Sequence, residues 1–222
     1  FKLIVNLRLI SLVSIFYTHI CIKKENKVVS DIKNKRLLFI NKEKFRSDIE
    51  VLSTYDKYMT YSLSDRWSCI LMSSLNNGKI DQLVQYMNNP IFTDYYLSLV
   101  KKINKFYNFS CVFLVNYRYT QDYPWVLAFK SLGIPVIILY RECLLTTERL
   151  YDGIVARHKQ FIGYPINHII VHNQITKDSF VNSGFALDKQ VTVAGALRMD
   201  RLLNNINYNI NKATSTSNNK IV

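Results

Sequence analysis

The sequence predicts an α/β fold, a doubly wound parallel sheet. Three observations carry this. Four short, largely apolar runs, Cys111–Val115, Pro135–Tyr140, His168–His172 and Gln190–Ala194, read as strands buried on both faces. Helical segments lie between them: Tyr123–Leu132, Thr146–Gln160 (a helix or lid) and Thr176–Asn182. The links are short and punctuated by Gly133, Gly184 and Gly195. Strands alternating with helices through short connections build a parallel sheet.

Taken in order, the chain opens on Leu3–Ile22, apolar and about the 20 residues that a bilayer span takes. Arg8, Ser11, Ser14 and Thr18 fall at helical spacing and put one narrow polar stripe on a mostly apolar helix. Such a helix is buried, in a core or in lipid. Three readings stand: a core helix, a secretory signal lacking a small-residue cleavage site, or a helix on or in a membrane, followed by Lys23 and Lys24. Arg36–Asn41 is a strand behind a basic loop, and residues 42–61 are mixed, with Asp48, Glu50 and Asp56 among aromatics. Arg66–Leu75 and Ile80–Met87 have helical spacing around a turn at Asn76-Asn77-Gly78. Pro90 opens a helix over Ile91–Tyr107, with Phe92, Tyr95, Tyr96, Leu99, Val100, Ile103 and Phe106 on one face. Pro124 stands in the first turn of Tyr123–Leu132 and Gly133 stops it. Met199–Leu203 begins a further helix, and Asn204–Asn219 reads as a linker.

The expected organisation is therefore 1–35, an apolar helix and basic loop; 36–203, the α/β domain; and 204–222, a linker into a further domain. The opening at Phe1 within an apolar stretch and the strand-like close at Lys220-Ile221-Val222 read as those of a piece of a longer protein.

Composition narrows the function. Hydrophobic residues make up 49% and charged residues 20%, which excludes a disordered chain. Four cysteines without CxxC or Cys/His spacing exclude a disulfide scaffold. Cys21, Cys69, Cys111 and Cys143 read as buried free thiols in a reducing compartment. The net charge of +13 suits an anionic partner: phosphorylated substrates, an anionic membrane surface or nucleic acid. The basic residues are spread out, with clusters only at Lys23-Lys24, Lys33–Arg36 and Lys42–Arg46, and no nucleic-acid motif appears. Nucleic acid therefore ranks third among the partners.

In a doubly wound sheet, ligands bind beyond the carboxyl ends of the strands. That rule selects residues 116–122, 141–147, 172–174 and 195–200. No GxGxxG or Walker loop occurs, so no dinucleotide or ATP fingerprint is present and no cofactor is expected. His168 and His172 lie roughly 13 Å apart on one strand face, too far to share an ion, and no third ligand accompanies them, so no metal site is expected.

The stretch Gly133-Ile-Pro-Val-Ile-Ile-Leu-Tyr-Arg-Glu142 resembles a segment of bacterial surface-carbohydrate glycosyltransferases. So does the run from His172-Asn173 through Ser183-Gly184-Phe185 to Lys189-Gln-Val-Thr-Val-Ala-Gly195-Ala-Leu-Arg198-Met-Asp200, a strand and Gly-ended helix, then a strand, Gly and Arg-x-Asp. Similar patterns occur in GT-B-fold enzymes of capsule and lipopolysaccharide synthesis and in relatives of teichoic acid glycerophosphotransferases. The resemblance spans about residues 110–203 and is better for fold than for reaction. It implies a Rossmann-like, acceptor-side N-terminal half of a GT-B-like enzyme, cytoplasmic and peripheral on the inner face of the cell membrane. A nucleotide-sugar or CDP-alcohol donor would bind mainly on a second domain, and the acceptor would be a glycan or lipid-linked.

On that resemblance, Glu142 and His172 are the candidate catalytic residues, each able to take the acceptor hydroxyl's proton. The alternatives are an ion pair of Glu142 with Arg141 or Arg149 or a helix N-terminal charge, and, for His172, hydrogen-bond donation to substrate, an N-terminal cap or a strand-end hydrogen bond. Arg141 would hold a phosphate or sugar carboxylate, or face solvent. Asn116, Tyr117, Tyr119 and Asp122 would meet sugar hydroxyls and rings, and Asn173 a substrate group beside His172. Gly195 would let backbone approach a ligand, or merely turn. Arg198 and Asp200 would face the donor phosphate or pair across a hinge, while Trp125 reads as core. Two rivals remain: a non-hydrolysing sugar-nucleotide 2-epimerase-like domain, which usually carries more His, Glu and Arg in these loops, and a non-catalytic, basic, membrane-associated binding domain.

Overall fold

The computed structural model describes residues 2–25, 35–54, 57–75, 90–141 and 147–199. Among the described residues seven strands form one sheet in the order β1-β3-β2-β4-β5-β6-β7. They are β1 (Ile22–Lys24), β2 (Lys35–Ile40), β3 (Tyr58–Leu63), β4 (Cys111–Leu114), β5 (Val136–Leu139), β6 (His168–Val171) and β7 (Val191–Val193). All neighbours are parallel except β1, which runs antiparallel to β3 at the edge. The helices are α1 (Lys2–Asn6), α2 (Ile10–Phe16), α3 (Lys42–Leu52), α4 (Asp65–Leu75), α5 (Pro90–Tyr107), α6 (Tyr123–Ser131), α7 (Glu148–Lys159) and α8 (Gln174–Asn182).

The α/β class and the Rossmann-like arrangement hold, and the four apolar runs of the second half are β4 to β7. Alternation along each strand divides the core in two. Leu38, Ile40, Val112, Leu114, Val136, Ile138, Ile169 and Val171 face a large cluster with residues of α2, α4, α5, α6 and α8. Leu37, Phe39, Phe113, Ile137, Leu139 and Ile170 face a smaller one beneath Phe45, Ile49 and Leu52 of α3. Phe39 stacks on Phe113 at 4.9 Å and meets Phe45 edge-on, which fixes α3 on that face. The chain leaves β2 toward β3 on one side, and the sheet continues through β4 on the other, so the topological switch point lies between β2 and β4.

Two expectations need correction. Residues 42–61 hold a full helix, α3, and β3 begins at Tyr58. And Leu3–Ile22 is no single helix. Arg8 takes a left-handed backbone (φ 54°) that separates α1 from α2, and a π-helical turn over Tyr17–Cys21 then leads into β1. Among the described residues no helix is long and apolar enough to cross a membrane. The segment packs on the domain through Val5, Val13, Tyr17 and Cys21. Ser14 and Thr18 of the polar stripe are buried too. Ile80–Met87, the turn at 76–78 and the expected linker 204–219 lie outside the described residues.

Candidate functional site at the carboxyl edge of the sheet

Helix α3 supplies a residue that no motif singled out. Phe45, Asp48, Ile49 and Leu52 share one helical face, and three of them are apolar. Asp48 therefore points inward with its neighbours and is 2% exposed. Its helical position was the available signal: a carboxylate on the apolar stripe of an amphipathic helix.

Three strand ends bring cations and an imidazole to it. Arg141 follows β5, His172 follows β6, and Arg198 stands in the 3-10 turn Leu197–Met199 after β7. Arg141 Nε lies 3.3 Å from Asp48 Oδ2, an ion pair not aligned as a hydrogen bond. The Arg198 backbone N–H donates to the Asp48 carboxylate. Burial pushes the Asp48 carboxyl up, against the opposing pull of Arg141, Arg198 and His172. Burial likewise pushes the His172 imidazole down, helped by Arg198, opposed by Asp48, and helped again by Arg141. The His172 imidazole thus favours its neutral form, within electrostatic reach of two guanidiniums and of the buried Asp48 carboxyl.

The other predicted residues are placed differently. Asn173 is the N-cap of α8: its Oδ1 accepts from the Thr176 N–H at 2.9 Å. Asn116 is buried, and its Oδ1 accepts from the Arg118 N–H at 3.0 Å, closing the turn after β4. Tyr117 is buried among Tyr140, Phe161, Phe180 and Phe185. Its hydroxyl lies 2.6 Å from His158 Nδ1. Trp125 is core, as expected. Gly195 has φ +73°, which favours glycine, and a Cβ there would meet nothing within 4 Å among the described residues, so its conformation explains the glycine. Glu142 and Asp200 lie outside the described residues.

Asp122 belongs to a second buried polar group, at the switch point. Asn41, in a left-handed conformation (φ 67°) at the end of β2, donates through Nδ2 to Asp122 Oδ2 and accepts from Ser68 Oγ at 3.2 Å. These bonds tie the loops after β2 and β4 to α4. Burial pushes the Asp122 carboxyl well up, Asp65 adds to this and Asn41 opposes it, so the protein interior favours the protonated form of Asp122. Among the described residues its buried Oδ1 has no hydrogen-bond partner. Asp122 and Tyr117 thus build the interior beneath the carboxyl edge rather than line an opening.

Sequence reasoning also missed His158, which is fully buried and stacks on Phe180 at 4.0 Å. Ser179 Oγ spends its hydrogen on the Thr176 carbonyl at 2.8 Å, so at 3.2 Å it accepts from His158 Nε2–H. Nδ1 then accepts from Tyr117, and the ring is neutral. Burial lowers its pKa to about 4, with help from Arg118 and Arg157. Its place in a mixed helix, α7, gave no sign of this role. Among the described residues no group of three or more His, Cys, Asp or Glu could hold a metal ion.

Compared with protein-family models, with curated proteins and with solved structures, the chain matches none.

Proposed function

We propose that this domain is the acceptor-side, Rossmann-like half of a GT-B-like transferase of cell-surface polysaccharide synthesis. It moves a glycosyl or glycerophosphoryl group from a nucleotide-activated donor to an acceptor hydroxyl. The observation that carries the reading is the convergence of Arg141, His172 and Arg198, each following a different strand, on the buried Asp48 at the carboxyl edge of a parallel sheet.

A neutral imidazole can accept the proton of the acceptor hydroxyl as that oxygen attacks. The bond from the acceptor oxygen to the transferred carbon or phosphorus forms. The bond to the nucleotide phosphate breaks, and its electron pair leaves with the phosphate. Arg141 and Arg198 neutralise the charge developing on that phosphate. Asp48 balances the guanidiniums in the free protein and stabilises the imidazolium once the proton has moved. Glu142, next to Arg141, is the second candidate for the proton. The net charge of +13 favours the anionic donor.

The test is a thermal-shift screen of nucleotide-sugar and CDP-alcohol donors on the protein with its second domain, followed by turnover of the best ligand. His172→Gln and Glu142→Gln are compared at saturating donor. Turnover lost with donor binding kept, in either variant, supports the reading and names the base. Absence of donor binding moves the domain to the non-catalytic class. Donor epimerised without transfer assigns it to the 2-epimerase class.

A further inference from the structure

The N-terminal segment buries Val5, Val13, Tyr17 and Cys21 but leaves a second set of apolar side chains facing outward. Ser14 and Thr18 face the interior, where Ser14 Oγ donates to the Ser11 carbonyl at 2.8 Å and the Tyr107 hydroxyl donates to the Thr18 carbonyl. Small polar side chains there let α2 and the following turn lie close against α5. The cost is that Leu12 and Ile15, which a water-soluble helix would bury, stand 51% and 55% exposed. Leu3 on α1 and Leu7 in the turn just after it are more exposed still. Six of the thirteen exposed large apolar side chains among the described residues fall between residues 3 and 20. A seventh, Phe106 on α5, meets the exposed His19 ring at 5.4 Å and so joins the same surface. Single exposed leucines need no explanation, but so many on one short segment mark it as an interaction surface.

Its border is basic. Residues 1–24 contain no Asp or Glu, and Arg8 is exposed at the break between α1 and α2. Lys101, Lys102 and Lys105 are exposed on the last two turns of α5, and Lys102 Nζ reaches Ser11 Oγ at 3.1 Å. The acid on α5, Asp94, is eleven residues before Lys105, roughly 16 Å along the axis. Glu25, the first acid of the chain, is paired with Lys42 at 2.6 Å.

We infer that α1, α2 and the C-terminal end of α5 form a docking surface for an anionic lipid bilayer. Leu3, Leu7, Leu12, Ile15 and Phe106 enter the interface, and the lysines meet the headgroups. Apolar side chains fringed by Lys and Arg without acids are the chemistry of a helix lying in the membrane plane. A protein partner would need no such uniform charge. The inference does not depend on the transfer chemistry proposed above.

Flotation of the full chain with phosphatidylglycerol–phosphatidylcholine vesicles, against phosphatidylcholine alone, tests it. The protein should float with the anionic vesicles. Lys101→Gln/Lys105→Gln should weaken partitioning roughly fivefold per lysine. Leu12→Gln/Ile15→Gln should weaken it at least about tenfold, with circular dichroism and thermal midpoint unchanged because both side chains already meet water. Binding to neither vesicle, equal binding to both, or binding that neither variant alters would overturn the inference. So would a concentration-dependent dimer abolished by Leu12→Gln/Ile15→Gln without vesicle binding, which would assign the patch to a second copy.

Discussion

Arg141 Nε and Asp48 Oδ2 lie 3.3 Å apart, and they come from opposite sides of the switch point. Asp48 belongs to α3, which connects β2 to β3, whereas Arg141 follows β5. The ion pair therefore fastens the lone helix of the smaller core cluster to the strand ends that carry the candidate site.

Removing the cation should be felt in stability. Arg141→Gln leaves Asp48 buried with less compensation, at about 2 kcal/mol, below a fully buried pair because Arg141 is 23% exposed at its side chain. The Asp48 carboxyl is raised in the folded state, so its contribution is present at pH below the unfolded value and is lost as pH rises through the folded one. Without Arg141 that loss grows. Urea midpoints should therefore separate the variant from the wild type more at pH 8 than at pH 3.5. Equal separation at both would mean that the pair is not electrostatic in its effect.

His158 should set an acid-side slope. Its folded pKa of about 4 lies below the usual 6.5, so the unfolded chain takes up a proton between those values and the folded chain does not. Stability is full above about pH 6.5 and falls toward pH 4, by on the order of 3 kcal/mol. In His158→Gln the midpoint should be lower at pH 7, and this part of the slope should disappear. An unchanged slope would place the titration at His168 or His172, whose pKa values are also lowered.

Asp122→Asn should not harm the fold. Burial favours the protonated carboxyl, its Oδ2 accepts from Asn41, and Oδ1 lacks a hydrogen-bond partner among the described residues. An amide keeps the acceptor and removes the cost of ionisation. The thermal midpoint should be equal or higher at pH 7, with the gain increasing toward pH 9. A midpoint that drops by several degrees would show that the acid proton has a partner that the amide cannot serve.

Gly195→Ala should cost about 1–2 kcal/mol for its left-handed backbone. Gly195→Asn should cost less, because asparagine visits that region readily. Nothing among the described residues lies within 4 Å of an added Cβ, so donor affinity should be unchanged in both. A selective loss of affinity would mean that a ligand approaches the backbone there.

What the sequence disclosed follows from how each signal arises. Buried strands such as Val136–Leu139 and His168–Val171 are read because burial on both faces leaves an apolar run. Gly133 and Gly184 are read because helix ends need positive φ, and both have it. Tyr58–Leu63 escaped because Thr60, Tyr61 and Ser62 are buried polar-tipped residues, which break the apolar pattern. The break at Arg8 escaped because a left-handed arginine has no sequence mark. In the site, Arg141, His172 and Arg198 were legible from the rule of strand ends. Asp48 was not, since its partners are distant in sequence and meet it only through the crossover of the sheet.

The most direct measurement is a calorimetric titration of inorganic pyrophosphate into the wild type and Arg141→Gln/Arg198→Gln at fixed ionic strength. Two charged hydrogen-bond donors at the carboxyl edge predict binding by the wild type and a loss of roughly tenfold or more in the double variant, with the fold retained by circular dichroism. Equal affinity in the two proteins, or no binding by the wild type, would contradict an anion site between Arg141, His172 and Arg198.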